Sequence, residues 1–129
     1  MATGFPAATG DVLTSGMFNG LVAFTANTQT GTTYTAVSTD QYQVLVTMNN
    51  ASANAFKIPT NASVAFPTGT AITVLNLGAG TCTISAVTSG TTTVVSDGAT
   101  SAQPTISTYK SAVCLKTGTD TWVICGAIA

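Results

Sequence analysis

The chain has 129 residues, three lysines, four aspartates, no histidine and a net charge of −1, with charged residues at only 5%. That length carries one domain with a real core and not two full-sized ones. The composition weighs against two broad classes of function: without imidazole the supply of groups for acid–base chemistry near neutral pH is thin, and three dispersed lysines cannot neutralise a run of phosphates, which sets nucleic-acid binding aside.

Met1 to Gly10 has no basic start and no apolar run, so no signal peptide is expected, and no stretch reaches the length of a membrane span. Gly4 to Gly10, with one proline and two glycines, reads as an extended arm. Leu13, Met17, Phe18 and Leu21 then fall at helical spacing behind Asp11, a candidate N-cap. Gly16 and Gly20 each weaken such a helix by about 1 kcal/mol relative to alanine, so it forms only against a partner or against its own domain. Residues 25–39 carry Thr or Ser at nearly every second place, a pattern that fits an edge strand or a tether; composition favours the tether. The expected organisation is therefore an N-terminal arm and Thr-rich connector over residues 1–39 and a β-domain over 40–129.

From residue 40 onwards short apolar runs alternate with turn residues. Tyr42 to Met48 reads as a strand, as do Ala55 to Ile58, with Phe56 and Ile58 on one side, and Ser63 to Phe66, cut by Pro67. Thr70 to Leu77 puts Ile72 and Val74 on one face, and Thr81 to Ala86 points Cys82, Ile84 and Ala86 inward. The Gly78-Ala79-Gly80 turn between them predicts a hairpin. Thr91 to Val95 follows, with a turn at Asp97-Gly98. A second hairpin is expected from residues 112–116 and 122–125 across Thr117-Gly118-Thr119-Asp120. Strands spaced by about ten residues predict an all-β fold, an antiparallel sandwich or jelly-roll-like barrel with at most one short helix in the arm. The echo of Asn50-Ala-Ser in Asn61-Ala-Ser occurs only twice, at no fixed period, which speaks against a solenoid.

Cys82, Cys114 and Cys125 are an odd number with no zinc spacing, and each sits in a strand-like run. A Cys114–Cys125 disulfide requires the two end strands to pair; reduced thiols are expected. No nucleotide loop or hydrolase motif occurs, and neither a metal nor a cofactor is expected. Without histidine, a Ser nucleophile would need a Ser–Lys pair, but Lys57, Lys110 and Lys116 read as outward solubilising residues. Trp122 reads as closing one end of the core, with sugar stacking as the alternative. So few charges make a poor colloid, and association is the expected state.

Two stretches resemble bacteriophage virion proteins. Ala8-Thr9-Gly10-Asp11-Val12-Leu13-Thr14, followed by Met17 and Asn19, is similar to the opening of many phage tail-fibre and other virion chains. Ala55-Phe56, residues 59–70, Ile72-Thr73-Val74, residues 78–84 and residues 118–122 resemble, in that order, a β-domain of fibre, appendage and head-decoration proteins. The resemblance implies a non-enzymatic virion protein, made in the host bacterial cytoplasm, and a homotrimer. With no room for a fibre shaft, the reading is a capsid decoration (cement) protein on the capsid surface, bridging major capsid protein subunits, with neither nucleic acid nor membrane as partner. Phe5, Leu13, Met17 and Phe18 would anchor the arm to capsid or protomer. The alternative is a short head or tail fibre that binds host-surface glycan through Tyr34, Tyr42, Tyr109 and Trp122.

Overall fold

The computed structural model describes residues 25–41, 44–96, 99 and 102–128. Over these the chain is all-β, with ten strands in two mixed sheets and a single 3-10 turn at Ser38–Gln41. One sheet runs in the spatial order β1 (Thr25–Gln29), β3 (Val44–Met48), β5 (Ala71–Asn76), β9 (Ser111–Gly118), β10 (Thr121–Gly126), β7 (Thr93–Val95). The other runs β2 (Thr33–Thr35), β4 (Asn54–Ile58), β6 (Cys82–Ala86), β8 (Thr105–Ile106).

The all-β expectation holds; the pairing differs. The first six strands alternate between the sheets, and β1, β3 and β5 pair in parallel, as do β2, β4 and β6. A chain that crosses to the opposite sheet and returns one strand further on is a coil, and three coils stack here: β1–β2, β3–β4 and β5–β6. Antiparallel pairing enters with the later strands, which close the stack: β9 on β5, β10 on β9, and β8 on β6.

Three sequence expectations change accordingly. Residues 25–39 are no tether: they supply β1 and β2, so the folded body begins before residue 40. Gly78-Ala79-Gly80 turns no hairpin, because β5 and β6 lie in different sheets and the segment arches between them. The coil period exists but varies. Val74 lies beside Val46 and Ile84 beside Phe56, whereas β1 meets β3 at Thr25–Val44 and β2 meets β4 at Thr33–Ala55. Insertions between coils hide that repeat from a search at fixed spacing.

The arches stack as closely as the strands. A Cβ on Gly78 would strike the Asn50 backbone and one on Gly80 the Ser52 backbone, so neither position accepts a side chain. The Gly80 amide donates to the Asn50 carbonyl (3.0 Å), and Asn54 N donates to Thr81 O (3.0 Å). Asn76, fully buried, pins the third arch: its Nδ2 donates to Gly80 O and Ile106 O, both at 2.8 Å, and its Oδ1 accepts from Gly78 N at 3.1 Å.

Inward rows from both sheets share one core, including Val46, Met48, Phe56, Ile58, Ile72, Val74, Cys82, Ile84 and Ile106. Each large side chain there contributes roughly 1.5–3 kcal/mol by leaving water. Trp122 is buried in this core, edge-on to Phe66 (centroids 5.6 Å, 89°). Ser63 to Phe66 is not a strand. It lies between Pro59 and Pro67, two residues that cannot donate to a ladder, and the amides of Ser63 and Val64 turn back onto Thr60 O.

The expected hairpin across residues 117–120 is present as β9–β10. Across it Cys114 faces Ile124 and Cys125 faces Val113, so the two thiols project to opposite sides of the sheet, one buried and one exposed. All three cysteines are free, and Cys125 departs from the expected burial. Lys116 also departs from expectation: it is 3% exposed, and its ammonium donates to Asn61 Oδ1 and Phe66 O, both at 2.6 Å.

Candidate functional site

Among the described residues neither sheet continues past the first coil: β1 and β2 are the terminal strands of their sheets. The opposite ends are β7 and β8, of three and two residues. Very short edge strands offer little to a pairing partner. β1, with five residues, presents a longer row of backbone donors and acceptors.

The side chains of this coil differ from those beneath it. Asn27 and Gln29 alternate inward and are half-buried, while Ala26 and Thr28 are exposed. From β2, Tyr34 points inward against Phe56, with ring centroids 6.1 Å apart. The 3-10 turn brings in Asp40, which is 1% exposed. The Asp40 carboxylate accepts from Asn27 Nδ2 (3.0 Å), the Tyr34 hydroxyl (2.7 Å) and the Val37 amide (2.9 Å). Asn27 Nδ2 also donates to the Tyr34 oxygen (2.8 Å), and Gln29 Nε2 donates to Asn27 Oδ1 (2.6 Å). A polar layer therefore covers the apolar core where the stack is open. Its groups are satisfied internally, as a buried polar network must be to avoid a desolvation penalty. Among the described residues this coil thus offers backbone hydrogen bonding along its edge, with Val37 its one exposed large apolar side chain.

Burial pushes the Tyr34 hydroxyl up to about 12, with the hydrogen bond to Asp40 and its charge adding to the shift. Burial likewise raises Cys82 to about 11 and lifts Cys114 further. In each case the folded state holds its proton more tightly than the unfolded chain. Stability from these groups is complete below their ordinary values, 9.0 for the thiols and 10.0 for Tyr34, and declines as pH rises towards the folded values. The urea midpoint should accordingly fall from pH 9 to pH 12, and Tyr34→Phe should make the fall above pH 10 shallower, leaving the share of the two thiols. An alkaline limb unchanged by that substitution would exclude Tyr34 as its source.

Phe5, Leu13, Met17, Phe18 and Tyr42 lie outside the described residues. The remaining candidate aromatics are not assembled into a sugar-stacking surface. Trp122 is 2% exposed in the core, the Tyr34 hydroxyl is engaged in the first coil, and only Tyr109, at 78%, is widely exposed. Tyr109 sits in a turn with φ 63°, its amide bonded to Asn76 O (2.7 Å). Among the described residues no three His, Cys, Asp or Glu side chains gather as a metal site. Sequence reasoning missed Asn27, Gln29 and Asp40; the available signal was Asn-x-Gln, an inward polar row in a Thr-rich strand. The chain matches no family model, no curated protein and no solved structure. The open coil is thus interpreted from its own geometry.

Proposed function

We propose that this chain is a non-catalytic structural protein of a bacteriophage particle, a capsid decoration protein that binds the major capsid protein and itself as a homotrimer. The observation that carries the reading is the open first coil. Its two edge strands directly follow residues 1–24, and an edge of this kind recruits an added strand by backbone hydrogen bonding. The satisfied polar layer over the core favours a protein that stays monodisperse until it meets a partner. Three copies engaging together would convert weak contacts into a durable attachment.

Removing residues 1–24 should abolish capsid binding while the β-domain keeps its thermal transition; retained binding would refute the arm's role. Quantitative mass spectrometry of purified particles supplies the complementary measurement. A copy number near that of the major capsid protein is expected, whereas a few copies per hundred would move the protein to a vertex or the tail.

A further inference from the structure

On the outer face of the second sheet, Lys57 of β4 and Ser85 of β6 are register partners, and the Lys57 ammonium donates to Ser85 Oγ at 2.9 Å. Ser85 is 5% exposed, and beside it Ile84 N donates to Pro104 O (2.8 Å), extending the β6–β8 pairing. Beside this pair opens a cavity of about 280 Å³, bordered by the turn through Ser89 and Gly90, by Thr92 and by Gln103. Val87 and Val94 form its apolar wall.

We infer that this cavity is a binding site for a carboxylated monosaccharide unit, its carboxylate held by Lys57. Among the described residues the ammonium meets a single acceptor, the neutral hydroxyl of Ser85, so its other hydrogens are available to an anion. Asp120 is turned towards Thr92 Oγ1 (3.2 Å) and the Asn61 amide (2.8 Å) and does not line the cavity. One ammonium matches a monoanion; a phosphate dianion is ordinarily met by a guanidinium fork or several backbone amides. The hydroxyl of Ser89 and the amide of Gln103 match sugar hydroxyls, and the valines match the C–H face of a ring. The volume falls at the lower edge of small-molecule sites, ~300–1,000 Å³, which suits one sugar unit and not a longer chain. The site is separate from the first coil and does not depend on the decoration reading. It also differs from an aromatic sugar platform, since no tyrosine or tryptophan lines it.

The test is a 1H–15N NMR titration of the full chain with D-glucuronate, D-glucose, acetate and inorganic phosphate. Glucuronate should give saturable shifts confined to Lys57, residues 85–94 and residues 102–103, with glucose and acetate each weaker by about tenfold, the loss of one charge-assisted or several neutral hydrogen bonds. Lys57→Met should abolish the glucuronate shifts. Ser89→Tyr, at an exposed position of the rim, should block the cavity without disturbing the sheet, so loss of binding remains readable if Lys57→Met fails to fold. No shifts with glucuronate, equal affinity for glucose or acetate, tighter binding of phosphate, or shifts that survive both substitutions would each overturn the assignment.

Discussion

Asn76→Ala is expected to lower the unfolding free energy by about 3 kcal/mol, because it takes a donor from two buried backbone carbonyls at ~1–3 kcal/mol each, partly offset by local rearrangement. The carbonyls of Gly80 and Ile106 lose the Asn76 donor, and the Gly78 amide keeps only its longer bond to Met48 O (3.4 Å). Asn54 provides the contrast. It is also buried, at the start of β4, but among the described residues its Oδ1 has no partner and its Nδ2 makes one bond, to Ser52 O at 3.1 Å. Asn54→Ala should therefore cost about 1 kcal/mol, a single net hydrogen bond. Urea unfolding of the two variants measures both; equal losses would show that Asn76 is not what holds the third arch. For a domain whose whole stability is about 5–15 kcal/mol, that loss is about one-fifth to three-fifths of the total.

Gly80→Ala should cost about 3 kcal/mol, the upper range for forced overpacking. The new methyl meets backbone of the second arch, which cannot rotate away as a flexible side chain would. Gly31, in the outermost arch, is the control: a Cβ there approaches only Thr33 O, at 4.0 Å. Gly31→Ala should change stability by less than about 1 kcal/mol in either direction. Thermal midpoints that fell equally for the two would mean that the arches are not in close stacking contact.

Much of the strand pattern was legible from the sequence. The alternations at Phe56–Ile58, Ile72–Val74 and Cys82–Ile84 identified inward faces correctly, and Trp122 lies in the core as its type suggested. Period-two alternation states which side of a strand is buried, not which sheet holds it or in which direction its neighbour runs. A Gly-Ala-Gly segment serves a hairpin or an arch equally, and only the Asn50 and Ser52 backbone beneath Gly78 and Gly80 shows which. The first coil was hidden because its inward residues, Asn27 and Gln29, are polar and their partner Asp40 lies outside the strand. Lys116 was misplaced by residue type, although the alternation Ala112, Cys114, Lys116 already put it on the inward face.

The stacking order also sets a timetable for biosynthesis. β5 and β6 each receive a second neighbour only from β9 and β8, which leave the ribosome after all three coils. Until then the nascent stack has open edges at both ends, and parallel pairs with long connections are slow to close. Completion of the C-terminal strands covers one end with edges of three and two residues, and among the described residues the long edge of β1 stands at the other. End-to-end polymerisation through the far edges of β5 and β6 is therefore a hazard of interrupted synthesis more than of the finished protein.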